Sequence, residues 1–282
     1  GLGLGVQVPG FFDPAWKGLG LFVMWTPILA VLVAGRQARQ SLGRMIGRPL
    51  PWGMMLLATF LGWFHSVVSA AIGLATGAVT WNTEKFVVAE SFLVSKADFL
   101  FFFPDTGGVL PLFILHFVVQ GLVLTILYGL MFAIGEEAGW RGYLQPALEC
   151  RFGLFKGTLF VGIIWASWHL GFRLLDFNSR GVPAVLNALV MFPAEVIVVA
   201  FLYAWLVRRT GSVWPAVCAH AANNTLPEGS MLTEISWWGM KAASSATTVL
   251  MAILLFLLFR YYDSPNERYQ SILVDSRQDP GV

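Results

Sequence analysis

Two adjacent glutamates, Glu136 and Glu137, stand in a strongly apolar chain, with Arg141 four residues beyond the second. On a helix, Glu137 and Arg141 are i and i+4, one turn apart on one face, with the acid on the favourable N-terminal side. That pair neutralises itself. Glu136 projects about 100° away and lacks this partner, so it is a carboxylate placed to act as a general base. An interfacial helix with an ordinary exposed ion pair has the same spacing, so these residues need company before they imply chemistry.

Two further clusters supply it. Trp165-Ala166-Ser167-Trp168-His169 follows a natural helix break at Arg151-Phe152-Gly153. Folding the flanking helices antiparallel about residue 152 or 153 places Glu136 opposite a residue close to His169, because each helix rises about 1.5 Å per residue. A glutamate and a histidine meeting inside a membrane form a water-activating pair or a metal-ligand pair. The third cluster is Trp214-Pro215-Ala216-Val217-Cys218-Ala219-His220-Ala221-Ala222-Asn223-Asn224. Pro215 suits a first helical turn, and His220 and Asn224 then project together as i and i+4. Together they can donate hydrogen bonds to a developing oxyanion, or the histidine can bind metal. Ala216, Ala219, Ala221 and Ala222 would let this helix pack closely on its neighbours.

The elements that must position these residues are membrane helices. The 282 residues are 57% hydrophobic and 12% charged, against about 45–50% apolar and about 25% charged in a soluble domain. Too little polar surface remains to cover a water-soluble particle. A net charge of +2 and the lack of a basic patch interleaved with aromatics exclude a nucleic-acid partner. Cys150 and Cys218 read as small buried hydrophobes. Gly1–Pro14 carries no basic leader, so the first apolar run is expected to remain as a span.

A span needs about 20 predominantly apolar residues. Six strong candidates are Trp16–Val33, Trp52–Thr76, Val109–Ile134, Phe155–Leu174, Ala184–Val207 and Ala242–Phe259, and two weaker ones are Gly135–Cys150 and Val213–Leu232. The expected fold class is therefore all-α, a polytopic transmembrane helix bundle of about eight segments. It forms a single domain over residues 1–262 with its catalytic core at about 133–224, followed by a polar, mobile tail over 263–282. The long polar connection Trp81–Gly108 includes an interfacial Phe99–Phe103. Away from the segment ends, the ionisable groups in the spans are His65, His116, Glu136, Glu137, Arg141, His169, Glu195 and His220. Such groups cost about 2.5–3.5 kcal/mol each at the bilayer centre on insertion scales, so they persist where they pair or face a cavity. Four basic groups ask to be cytoplasmic: Arg36–Arg48, Arg151 with Lys156, Arg208–Arg209, and the tail. They can all lie on one side only if Val109–Cys150 is a single crossing.

Taken together, Glu136-Glu137-xxx-Arg141, Trp165-xxx-His169 and His220-xxx-Asn224 resemble the CPBP family of intramembrane proteases, the CAAX-protease and bacteriocin-processing group of Ras-converting-enzyme type. Its pattern is EExxxR, then aromatic-xxx-H, then HxxxN. Gly142-Tyr143-Leu144 resembles the usual continuation, and Trp165 stands where the family commonly has Phe. The resemblance covers about Ala133–Asn224 and implies an eight-helix bundle that cleaves a peptide bond at the membrane. It implies Glu136 as general base on a water held with His169, and His220 and Asn224 as oxyanion donors. Glu137 and Arg141 would hold the helix in place. The family's mechanism has also been cast as zinc-dependent, with Glu136, His169 and His220 as the ligands here, but no HExxH helix is present. The substrate would be a membrane-associated peptide or protein, lipidated or not. The membrane would be the plasma or inner membrane in a prokaryote and the endoplasmic reticulum in a eukaryote.

Two other readings stay open. One is an ion- or proton-coupled transporter relaying through buried Glu and His, with Glu195 beside Pro193 as its best-placed carboxylate. The other is a non-catalytic immunity or scaffold member of the same family.

Overall fold

The computed structural model describes residues 14–47, 50–81, 86–89, 92–95, 121–175, 181–225, 232–262 and 265–278. Within them the long apolar runs form helices: α1 (Pro14–Val33), α2 (Arg36–Ile46), α3 (Trp52–Ala75), α4 (Gly121–Phe152), α5 (Leu154–Leu175), α6 (Val182–Thr210), α7 (Trp214–Thr225), α8 (Trp237–Tyr262) and α9 (Glu267–Gln278). Two short antiparallel ladders accompany them. β1 (Val79–Trp81) pairs with β4 (Leu232–Glu234), and β2 (Phe86–Ala89) pairs with β3 (Phe92–Ser95). The Val79–Glu234 pairing brings the end of α3 and the start of α8 to the same end of the bundle. The protein is an all-α polytopic membrane protein, as its composition predicts. Large apolar side chains such as Phe60, Ile126, Leu130, Ile163, Val190 and Phe256 face outward, where only lipid is a suitable solvent.

Among the described residues four helices are long and apolar enough to cross a membrane: Trp52–Ala75, Gly121–Phe152, Val182–Thr210 and Trp237–Tyr262, with Phe22–Val33 a shorter apolar stretch. The expectation of eight segments is corrected at one point. From Gly121 onward, Val109–Ile134 and Gly135–Cys150 are a single helix of 32 residues, α4. At about 1.5 Å per residue it is about 48 Å long, more than the roughly 30 Å of the hydrocarbon core. Gly135, where a break was conceivable, lies inside a helical turn against the Met24 carbonyl and Trp25.

One crossing for α4 removes the conflict among the basic groups. The Ser41 hydroxyl on α2 donates to the Gly142 carbonyl at 3.0 Å, and the Val213 amide after α6 donates to the Met45 carbonyl at 3.3 Å. The Asn266 amide donates to the Arg208 carbonyl at 2.8 Å. Thus α2, the C-terminal halves of α4 and α6, and the segment leading into α9 share one end.

The tail differs from its expected mobility. In α9, Tyr269 and Ile272 are fully buried, and the Tyr269 hydroxyl donates to Glu149 Oε2 at 2.7 Å. Glu149 is also ion-paired with Arg208. A buried carboxylate needs such partners, and these two anchor the tail. His116, the Phe99–Phe103 stretch and the charged residues of Trp81–Gly108 lie outside the described residues.

Two glycines position the site. Gly153 takes φ +79 between α4 and α5, a positive-φ conformation open to glycine, at the point where the chain reverses into an antiparallel hairpin. Gly62 on α3 lets α7 approach closely: a Cβ there would collide with the Ala219 carbonyl and stand 2.8 Å from the Ala222 Cβ. Ala216, Ala219, Ala221 and Ala222 are all fully buried, in keeping with small-residue helix contacts. Gly62→Val should therefore lower the unfolding temperature of the detergent-solubilised protein, with an overpacking cost of about 1–3 kcal/mol. An unchanged midpoint would show that the two helices are free to separate.

Candidate active site

The site is built on α4, α5, α6 and α7. Glu136 and Glu137 occupy a short α-helical stretch, Ile134–Gly139, between two π-helical turns, Gly129–Ala133 and Trp140–Leu144. Such turns insert about one extra residue and rotate the helix beyond them, and they recur at functional positions. Glu136 is 1% exposed, Glu137 and Arg141 are fully buried, and His220 is 3% exposed.

The spacing-based pair forms: Arg141 Nη1 donates to Glu137 Oε1 at 3.1 Å. The rest of the guanidinium is met by aromatic faces, lying 4.5 Å from the Trp165 ring centroid and 4.9 Å from that of Tyr203. Arg141 Nε and Nη2 and Glu137 Oε2 are buried without hydrogen-bond partners among the described residues. Cation–π attraction in such a desolvated place is worth about 2 kcal/mol or more, which helps this charge to remain.

Glu137 does more than clamp its own helix. Its Oε1 also accepts from His220 Nδ1 at 2.8 Å. A carboxylate bonded to one imidazole nitrogen fixes the ring's orientation and leaves Nε2 to face a reactant. The His220 ring is stacked on Tyr203, with centroids 5.9 Å apart and planes at 25°, and lies edge-on to Trp165 at 5.4 Å. Tyr203 was not foreseen, since a tyrosine inside an apolar run carries no motif.

Glu136 has a different partner. Its Oε2 accepts from Trp165 Nε1 at 2.8 Å, and its Oε1 takes no hydrogen bond among the described residues. His169, expected opposite Glu136, is one turn beyond Trp165 on α5 and shares no hydrogen bond with Glu136. Its Nδ1 is 3.1 Å from the Trp165 carbonyl. A carbonyl only accepts, so Nδ1 carries the proton and Nε2 keeps its lone pair. The expected register assumed an even α-helical rise from Glu136 to the Gly153 turn. The π turn at Trp140–Leu144 winds more loosely and shortens that arm. Trp165 therefore links the two groups, and its indole N–H is what a phenylalanine at this position would lack.

Asn224 is exposed at the end of α7, on the same face as His220 as its spacing predicts, and its Nδ2 donates to the Tyr128 hydroxyl at 3.4 Å. His65 and Glu195 share no hydrogen bond with the side chains of this cluster. They pair with each other at 3.8 Å, and His65 Nε2 is 3.2 Å from the Thr248 hydroxyl. Paired charge is the expected state for ionisable groups in spans.

The proposed zinc ligands Glu136, His169 and His220 do not assemble. Among the described residues no group of three His, Cys, Asp or Glu side chains is arranged to hold a metal ion. The physical reason is competition: Glu136 Oε2 is taken by Trp165, His169 is turned onto the Trp165 carbonyl, and His220 is turned onto Glu137. A tetrahedral zinc site needs its donors about 2.0–2.2 Å from one point. As placed among the described residues, this donor set does not fit such a site.

Comparison with known proteins points the same way as the motifs. Residues 118–226 match the family model described as Rce1-like, type II CAAX prenyl endopeptidase. CAAX prenyl protease 2 of Methanococcus maripaludis is 28% identical over 110 residues, covering 37% of this chain. That match spans 40% of the relative's length. Glu136, Glu137, Arg141, Trp165, His169, Tyr203, His220 and Asn224 all fall inside the segment that this family model matches.

Proposed function

We propose that this protein is an intramembrane endopeptidase that cleaves a membrane-anchored peptide near a prenylated C-terminus, using water activated by Glu136. The observation that carries this reading is a carboxylate, 1% exposed, with one oxygen held by Trp165 and the other uncommitted. Two oriented imidazoles flank the same aromatic wall.

In this reading Glu136 Oε1 takes a proton from water as the water oxygen attacks the scissile carbonyl, and His169 Nε2 helps to hold that water by accepting its second hydrogen. The negative charge that develops on the carbonyl oxygen is met by the Asn224 amide and by His220 when its Nε2 is protonated, with Glu137 balancing that imidazolium. The proton gained by Glu136 passes to the amine as the C–N bond breaks, which yields a carboxylic acid and an amine; the acid's proton then moves to the amine, leaving a carboxylate and an ammonium, and the site is restored. The apolar outer surface lets a lipid-anchored substrate arrive from within the bilayer, and the relative's name supports a prenylated one. A transporter reading has less support, because Glu195 faces His65 and forms no hydrogen-bonded relay with Glu136, Glu137 or the two site histidines.

The test is reconstitution in liposomes with a farnesylated peptide ending in a Cys-aliphatic-aliphatic-X sequence. Release of the C-terminal tripeptide is expected, with the same rate after dialysis against a strong zinc chelator. No release from any prenylated peptide would overturn the peptidase reading, and loss on chelation restored by zinc would overturn the metal-free mechanism.

A further inference from the structure

Tyr128 belongs to none of the three motifs, yet the fold brings it to them. It lies eight residues before Glu136 on α4. On a uniform α-helix eight residues turn about 800°, leaving the two side chains about 80° apart. The π turn Gly129–Ala133 lies between them and absorbs about one residue. The eight then behave as about seven, and the offset falls to about 20°. This turn carries Tyr128 onto the face of Glu136, close enough for the two groups to interact electrostatically.

The neighbouring helix continues the same line. α7 runs antiparallel beside α4, with His220 on Glu137, Val217 and Ala221 against Gly129, Asn224 on Tyr128, and the Thr225 hydroxyl 3.1 Å from that of Thr125. Asn224 and Tyr128 are thus joined at the end of the site that also holds the exposed Asn224 amide.

The hydrogen bonds of Tyr128 leave its proton available. Its oxygen accepts from Asn224 Nδ2 at 3.4 Å, while its O–H is directed to Met24 Sδ at 3.8 Å. A thioether is a weak acceptor, whereas an O–H···O⁻ bond to a developing oxyanion is short and charge-assisted. The hydroxyl therefore gains much more from an arriving anionic oxygen than it loses at Met24. Its ring is fixed against Phe132, with centroids 4.9 Å apart, so little ordering is left to do on binding.

We propose that the Tyr128 hydroxyl is an oxyanion donor, acting on the substrate carbonyl oxygen together with Asn224. No bond to Tyr128 forms or breaks: the phenol keeps its proton and only shifts its hydrogen bond from Met24 to the oxyanion and back. This inference rests on the peptidase reading above.

The experiment compares wild type, Glu136→Ala and Tyr128→Phe in liposomes, on the farnesylated peptide and on a phosphonamidate analogue whose anionic oxygen occupies the oxyanion position. For Tyr128→Phe, kcat should fall by about 10²-fold, the effect of removing one oxyanion donor. KM should stay within twofold, and affinity for the analogue should fall by about the same factor as kcat. The unfolding temperature should be unchanged, since phenylalanine keeps the ring contact. A kcat within twofold of wild type overturns the proposal, as does a loss confined to KM or accompanied by equal analogue affinity. Should wild type fail to cleave, or Glu136→Ala cleave as well as wild type, the peptidase reading itself falls. A dead Glu136→Ala beside a fully active Tyr128→Phe removes the tyrosine role alone.

Discussion

Glu136→Ala should abolish peptide cleavage while leaving the protein folded in the membrane, with kcat lowered by at least about 10²–10⁴-fold, the usual contribution of a positioned general base. Stability should fall only modestly, because among the described residues the Glu136 carboxylate makes a single hydrogen bond, to Trp165. Trp165 Nε1 is then left stranded, and an unsatisfied buried donor costs about 1–3 kcal/mol. His169→Ala should fall in the same activity range, since it removes the lone pair that holds the water. The measurement is single-turnover release of the C-terminal peptide from reconstituted, correctly inserted protein. Full activity in either variant would mean that the water is activated elsewhere, and the assignment of chemistry to this cluster would fail.

Glu137→Ala is expected to damage the protein more deeply. Glu137 Oε1 accepts from both Arg141 and His220, and all three side chains are at most 3% exposed. Removing the carboxylate leaves the Arg141 guanidinium buried between Trp165 and Tyr203 without its hydrogen-bonded counter-charge. Breaking a buried ion pair in this way costs about 3–5 kcal/mol. His220 also loses the bond that orients its ring, so activity should fall together with stability. Glu137→Gln separates the two effects: its amide oxygen can still accept from Arg141, which should recover part of the unfolding temperature. Its neutral side chain cannot balance a protonated His220, so cleavage should stay impaired. Thermal unfolding in detergent, read beside kcat, checks this ordering. A Glu137→Ala protein as stable as wild type would show that Arg141 finds its compensation in the aromatic rings alone.

Much of this was legible in local spacing. The i, i+4 relation of Glu137 and Arg141, the shared face of His220 and Asn224, and the Pro215 helix start are consequences of 3.6 residues per turn. The Gly153 reversal comes from the freedom of glycine at positive φ, and so each could be read from a few neighbouring residues. The membrane class was equally plain, because 12% charge cannot solvate a chain of 57% hydrophobic residues. Where counting failed, the cause was a change of period. The π turns at Gly129–Ala133 and Trp140–Leu144 have no compositional signature, and the second moved Glu136 off the register that pointed to His169.

The tail shows the same division. Its composition is polar, so it read as mobile, but Tyr269 and Ile272 find buried places, and Glu149 and Arg208 supply the partners, more than 50 residues away in the chain.

By itself, then, the sequence determined that the chain lives in a membrane, which residue types could do chemistry, and which of them share a helix face. Those properties depend on composition and on interactions within one or two turns. Only the tertiary structure decided the pairings: Trp165 on Glu136, His220 on Glu137, Asn224 on Tyr128, and the failure of three ligands to meet at a metal. Each pairing joins side chains on different helices. Whether two such groups meet within about 3 Å depends on helix crossing, on close approaches such as that at Gly62, and on local winding, none of which is encoded in a single stretch of residues.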